Sequence, residues 1–275
     1  MKVSVPFDFS KEAVNALKLG KQLATNLGLN LKLIHSLGLE DYPYYKTEEA
    51  DRLKEIVFAN AKSEVNKALE EVSINPNDIE ISIKDGRPAP LIISTSQERE
   101  VLFTVIGRKA SKVPQQVGST TRDIMRYATG SVLSTRKETN FDDIKNILFI
   151  TDFDNTPITA VGNLRKIQEI NNAKLKVLYV NTKDVWQSTH ETMDQWKEFC
   201  KIHNLTDTEL EIINDESMEK GVLYHMRNNP VDLVAIKIQR SYGKLDLFDS
   251  HLSAERIMDH TDIPVLTYAK DAYAR

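Results

Sequence analysis

Val3-Ser4-Val5-Pro6-Phe7-Asp8-Phe9 near the start of this chain returns 144 residues later as Ile147-Leu148-Phe149-Ile150-Thr151-Asp152-Phe153, placing Asp8 on Asp152. At the same offset Leu31-Lys32-Leu33-Ile34 falls on Leu175-Lys176-Val177-Leu178. An offset kept across two apolar runs and the segment between them marks a duplicated unit. Whatever fold one half adopts, the other must be able to adopt it too, and each half of the 275 residues is long enough for a domain with its own core.

Within each unit short apolar runs alternate with helical patterns. Lys2 to Phe7 is a strand candidate, followed by a helix that Ser10 caps and Gly28 ends; Ala13, Val14, Leu17, Ala24 and Leu27 lie close to helical spacing on it. Leu29 to Ile34 is the second run, and a long helical stretch follows from about Thr47 to Val72. Ile79, Ile81 and Ile83 alternate with polar residues, the period of a half-exposed strand. Asp85-Gly86-Arg87-Pro88 turns into a helix near Ala89 to Gln97, and Leu102 to Ile106 and Val132-Leu133 supply the last two strands. In the second unit Asn155 or Thr156 is the expected cap of a helix with Pro157 in its first turn. Leu210 to Ile213, Leu233 to Ile238 and Val265-Leu266 are its later strands. Alternating strands and helices predict an α/β fold with parallel sheets and right-handed crossovers. Lys137 to Asp143 is polar and unpatterned, the expected linker between domains at 1–137 and 144–275.

Composition narrows the functions open to such a chain. A net charge of −4 argues against nucleic acid as main partner, because phosphate neutralisation needs clustered Lys and Arg. Cys200 is the only cysteine, so no intrachain disulfide forms. Met1 to Val5 opens directly in a strand-like pattern, and no apolar run is long enough for a bilayer. The expectation is a cytoplasmic protein with no membrane partner.

Chemistry concentrates in Leu102 to Thr121. A buried strand stops at Gly107, a polar loop follows, and Gly118-Ser119-Thr120 opens a helix with Ile124, Met125 and Ala128 on one face. Glycine lets a backbone approach a ligand, and the free N–H groups and dipole of a helix start favour an anion. The plainer alternative is that Gly107 ends a strand and Ser119 or Thr120 caps a helix.

Several pieces together carry a family resemblance: Val5-Pro6-Phe7-Asp8-Phe9-Ser10 and its repeat, Leu33-Ile34-His35, Asp232-Leu233-Val234-Ala235-Ile236, and Ala254-Glu255-Arg256-Ile257 through Ile263-Pro264-Val265-Leu266. With these the chain resembles the universal stress proteins, in tandem. The resemblance implies two flavodoxin-like (Rossmann-like) α/β domains, each an open five-stranded parallel sheet with helices on both faces. It also implies that the last strands pair between domains, an intrachain pseudo-dimer that leaves further homodimerisation open. Many members bind ATP through a glycine, two residues, a second glycine, nine residues, then glycine and Ser or Thr. Here Gly107 matches the first glycine and Gly118-Ser119 the last pair, but Ala110 replaces the second and only seven residues follow it. Asp8 matches the acid that contacts the nucleoside, and Ser36 stands where an adenine-contacting valine is usual. The residues expected to bind ATP are therefore Asp8, Ser36, Ile106, Gly107, Arg108, Gly118, Ser119 and Thr120, with Arg108 and Lys109 adding charge for the phosphates.

In the second unit Lys237 takes the first glycine's place and His251-Leu252 replace Gly-Ser, while Asp152 and Val180 remain. That unit is expected to have lost ATP, unless Lys237 and Arg240 recruit another anion. The expected activity is a stress-response protein that binds a regulatory adenine nucleotide in domain 1 without catalysis. The alternative is a member that binds no ATP and works through protein partners or another small ligand. A more distant reading comes from Asp152-Phe153-Asp154-Asn155-Thr156, which resembles the opening motif of haloacid-dehalogenase-like, Mg-dependent phosphatases; Asp246 and Asp249 are that reading's only later acids. Cys200 and His203 outline half a metal site without a second pair. His35 is a strand-end histidine expected to pack rather than bind. Trp186, Trp196 and Phe199 are expected in the core or between domains, and Tyr42 to Tyr45 form a candidate interaction patch.

Overall fold

The protein is described from a computed structural model covering residues 1–38, 48–109, 118–154, 156–238 and 250–269. The Tyr42 to Tyr45 cluster, Ala110, Asn155, Arg240, Asp246 and Asp249 lie outside these residues, as do the side chains of His251 and Leu252. The first unit runs β1 (Lys2–Pro6), α1 (Lys11–Leu27), β2 (Asn30–Ser36), α2 (Glu48–Glu71), β3 (Glu80–Lys84), α3 (Pro88–Ser96), β4 (Val101–Gly107), α4 (Ser119–Tyr127) and β5 (Ser131–Thr135). The second repeats it as β6 (Asn146–Ile150), α5 (Ile158–Asn171), β7 (Lys174–Asn181), α6 (Thr189–His203), β8 (Thr208–Asn214), α7 (Met218–Asn228), β9 (Leu233–Ile238), α8 (Ser250–Asp259) and β10 (Val265–Ala269). Local signals set the first helix as expected: the Ser10 side chain accepts from the Ala13 N–H, and Gly28 closes α1 at φ 64°. At the equivalent start in the second unit the cap is Pro157, which offers no side-chain bond, so Thr156 does not fill that role.

The strands form a single ten-stranded sheet in the order β3-β2-β1-β4-β5-β10-β9-β6-β7-β8. Each unit contributes five parallel strands, and the two meet where β5 and β10 run antiparallel, Leu133 opposite Leu266 and Ser134 opposite Val265. The last strands thus pair between units, as the resemblance implied. All five residues of β5 are buried, so this junction is interior sheet rather than an edge. Helices cover both faces. Under α1, α2, α5 and α6 one apolar cluster runs through both units, joining Val5, Leu17, Leu69 and Phe103 to Phe149, Leu164 and Leu266. On the other face Ile92, Ile106, Ile124, Ala128 and Val132 pack under α3 and α4. Beside them Val222, Ile257 and Met258 pack under α7 and α8, and Met125 of α4 crosses into this second-unit cluster.

Within the expected linker, Lys137 to Asp143, Phe141 is fully buried in the shared core, and its N–H donates to Gln22 Oε1 at 2.6 Å. One sequence expectation changes. Trp186 is 69% exposed in the loop after β7, whereas Trp196 and Phe199 pack against the core.

Candidate functional site

In a parallel α/β sheet ligands sit beyond the carboxyl ends of the strands, where helix N-termini converge. At that edge of the first unit lies a cleft of about 300 Å³, between the ends of β1, β2 and β4 and the start of α4. Of the expected binding residues, Asp8, Ser36, Ile106, Gly107, Gly118, Ser119 and Thr120 line it, together with Lys109. The hydroxyl of Ser36 donates to the Gly86 carbonyl, so its oxygen faces the cleft with its proton already used.

The start of α4 is open. Gly118 is its N-cap and makes no side-chain cap bond, no acid lies in the first turn, and Gly118, Ser119 and Thr120 are all exposed. Neither Ser119 nor Thr120 is spent as a cap. Among the described residues neither hydroxyl has a hydrogen-bond partner, and such a helix N-terminus suits an anion.

Asp8 faces this helix start with both carboxylate oxygens engaged. The Ser10 N–H donates to Oδ1 at 3.1 Å, the Ser10 hydroxyl donates to the same oxygen, and Lys109 Nζ donates to Oδ2 at 3.0 Å. Burial alone would raise the carboxyl, but the Ser10 hydroxyl, then Lys109 and the Ser10 N–H, reverse this and hold it below its ordinary value of 3.8. The following residue, Phe9, takes φ 60°, and its counterpart Phe153 takes φ 63°, so both units place the same left-handed turn after the strand-end aspartate. Phe9 packs edge-on against Phe7 and His35, and His35 Nδ1 donates to the Phe7 carbonyl at 2.8 Å. His35 is therefore a packing residue and is not among the residues that line the cleft.

Gly107 has a structural reason of its own. A Cβ there would lie 2.3 Å from the Glu12 carbonyl carbon and 2.6 Å from the Ala13 nitrogen, inside the backbone of α1's first turn. Arg108, expected to meet phosphate, is a correction. It is 1% exposed and turned away from the cleft, donating to the carbonyls of Met258, Thr261 (3.1 Å) and Ile263 (3.3 Å). Burial, reinforced by Arg136, pushes its pKa down to about 10. Of the two basic residues beside Gly107, only Lys109 reaches the cleft.

The second unit closes the matching place. Strand pairing sets Ile147 opposite Leu233 and Ile150 opposite Ile236, as Val3 stands opposite Phe103 in the first unit, so Lys237 holds the position of Gly107. Its side chain is 10% exposed, and Nζ donates to both oxygens of Asp152 at 2.7 and 3.0 Å and to the Asp154 carbonyl at 2.6 Å. An ammonium thus fills the space beside Asp152. Burial, with Asp152 nearby, raises the hydroxyls of Tyr179 and Tyr268. For the phosphatase reading, the first aspartate is already bound by Lys237. Among the described residues no group of three or more His, Cys, Asp or Glu is placed to hold a metal ion. Cys200 is half-buried, its thiol raised by burial and its Sγ 3.5 Å from Thr208 Oγ1.

Sequence reasoning placed Lys237 in nucleotide space but missed Lys109 as the partner of Asp8. Each of that pair stands two residues past the end of one of two neighbouring strands, β4 and β1, and that pairing of positions is the signal that would have found it.

No curated protein matches the chain. Among solved structures it is similar to a universal stress protein from Archaeoglobus fulgidus DSM 4304, with TM-score 0.72, 15% identity and 98% of each chain covered. It is also similar to a functionally unknown protein from Pseudomonas aeruginosa PAO1, with TM-score 0.62, 14% identity, and 98% of this chain and 92% of that one covered. The cytoplasmic domain of a prokaryotic cation chloride cotransporter shares the fold at TM-score 0.54 and 10% identity, over 97% of this chain and 94% of that one. Among the described residues no helix is long and apolar enough to cross a membrane. The family model for the universal stress protein family matches residues 1–136, so the first repeated unit belongs to this family.

Proposed function

We propose that this is a cytoplasmic stress-response protein of two domains, 1–137 and 144–275, whose first domain binds ATP as a regulatory ligand and whose second has given up that site. The observation that carries this reading is the convergence of Asp8 and the uncapped Gly118-Ser119-Thr120 helix start on one cleft. The cleft's volume, about 300 Å³, is at the lower end of the range for small-molecule sites. In this reading Asp8 takes a nucleoside hydroxyl, the α4 N–H groups take phosphate, and Lys109 moves from Asp8 to the phosphates when they arrive. The ligand is a signal in this reading, and no group in the cleft is assigned to catalysis.

The experiment is to denature freshly purified protein, identify any released small molecule by mass spectrometry, and titrate the emptied protein with ATP and AMP. Gly118→Val is the matching variant, because among the described residues a Cβ at Gly118 meets nothing within 4 Å and the backbone there needs no positive φ. Its side chain falls on the ligand's path without disturbing the fold, and ATP binding is expected to be lost; unchanged affinity removes the α4 loop from the site.

A second reading, a member without ATP that acts through protein partners, is favoured by two observations. Gly107 is explained by α1 packing alone, and both Asp8 oxygens already have partners. Absence of a released nucleotide and of titration heat decides for it.

A further inference from the structure

The two walls of the first-unit cleft are both tied to α8, a helix of the other unit. One wall is the end of β4, where Gly107 and Lys109 line the cleft and Arg108 between them points the other way. The carbonyls that Arg108 reaches lie at the last turn of α8 and in the turn beyond it, where helix carbonyls carry the negative end of the dipole. The other wall is α4. Its Arg126 donates to Glu255 Oε1 of α8 from Nη2 at 2.9 Å and from Nε at 3.2 Å, and Arg122 Nε lies 3.4 Å from Glu255 Oε2. Glu255 is only 12% exposed, and Met125 adds an apolar contact to the cluster containing Ile257 and Met258.

A buried guanidinium that makes no ion pair among the described residues is costly, and the sheet does not require one here. The equivalent position in the second unit, next after Lys237, is Ile238, buried in an apolar cluster. The charge therefore stands only beside the cleft that stays open. Arginine's planar fork spans three carbonyls at fixed angles, which an aliphatic side chain cannot do. We propose that Arg108 and Glu255 are positioning residues: through them α8 of the second unit sets the spacing of the β4 and α4 walls, so that the first-unit site is completed by the second unit. The ligand consequence rests on the nucleotide reading above. By linkage, whatever α8 contributes to ligand affinity, the ligand returns to α8 as stability.

The test uses the full chain, as wild type, Arg108→Met and Glu255→Gln. Without ligand, hydrogen exchange at the amides of Thr121 to Met125 is expected to rise about fivefold in both variants, while α5 amides and the unfolding midpoint stay near wild type. Arg108→Lys is expected to restore little, because a point charge does not reproduce the fork. Unchanged exchange in α4 overturns the proposal, and so does a rise shared equally by α5, which would mark a general loss of stability. The second arm is titration with ATP. Arg108→Met is expected to bind about tenfold more weakly, and wild-type ATP to slow exchange at Ile257 to Ile263. Equal affinity in wild type and Arg108→Met overturns the proposal. No heat in the wild type overturns the nucleotide reading, and the ligand-free exchange result then decides the positioning role alone.

Discussion

Replacing Gly107 by alanine isolates the packing reason for that glycine from its role as a ligand-binding residue. The new Cβ would sit 2.3 Å and 2.4 Å from the carbonyl carbon and oxygen of Glu12 and 2.6 Å from the Ala13 nitrogen. Ordinary contact begins near 3.4 Å. The first turn of α1 must therefore withdraw by about 1 Å, and it is backbone, not a flexible side-chain tip, that has to move. That turn is held by the Ser10 cap and by buried Ala13, Ala16 and Leu17, so it cannot shift alone. Overpacking of this kind costs about 1–3 kcal/mol. At about 2–4 °C per kcal/mol for a chain of this size class, the expected fall in the thermal midpoint is about 2–12 °C. Thermal unfolding followed by circular dichroism measures it, with Gly118→Ala as control because its Cβ meets nothing within 4 Å among the described residues. Equal midpoints for the two variants would refute the packing argument and return Gly107 to the ligand.

Other perturbations separate the remaining roles. Lys109→Ala should move the Asp8 carboxyl up toward its ordinary 3.8 in an NMR titration; because the folded value is depressed, the small stability that Asp8 gives is present above 3.8 and lost as pH falls below it, and a resonance that does not shift refutes the pairing. Lys237→Met should cost about 1–2 kcal/mol in denaturant unfolding, since Asp152 and the Asp154 carbonyl lose their donor, and no change in midpoint would mean the plug is idle. Burial lowers the His203 pKa from 6.5, so the unfolded chain takes up a proton that the folded one refuses. Stability should therefore fall as pH drops below 6.5, and His203→Gln should flatten that fall; an identical pH profile for the variant assigns the slope to other groups.

The duplication and the order of elements were legible because periodicity is local: each strand is an apolar run and each helix an apolar stripe. Seven of the eight residues expected at the cleft line it for the same reason, since strand ends and a helix start are fixed by the fold class. Arg108 was not legible. Its partners stand 150 residues and more away in the chain, and the direction of a side chain at a strand end depends on what the other unit brings there. Phe141 was lost in a polar stretch, where one apolar residue has no period to reveal it. Trp186 shows the opposite error: helical spacing linked it to Trp196 and Phe199, but α6 begins only at Thr189 and the tryptophan lies outside it.

The two clefts diverge through where a helix begins. In the first unit α1 starts at Lys11, soon after Asp8, and its first turn lies against the end of β4, leaving no room for any side chain at position 107. In the second unit α5 starts at Ile158; had it kept the offset of 144 residues it would have started at residue 155, almost a full turn earlier. The counterparts of Glu12 and Ala13 are Thr156 and Pro157, which stand outside the helix, so a lysine fits where the first unit admits only glycine. Once there, its ammonium meets Asp152 and the Asp154 carbonyl, groups that the shortened helix leaves at the strand end. A ligand entering that cleft would have to displace Lys237, whose side chain is largely buried although Asp152 is half-exposed, whereas in the first unit it displaces only Lys109 from Asp8, a pair exposed on both sides and worth about 0–1 kcal/mol. The cost of opening each cleft thus differs in the same direction as the loss of the glycine-hydroxyl pair, and both agree with the proposal that a ligand enters the first unit and not the second.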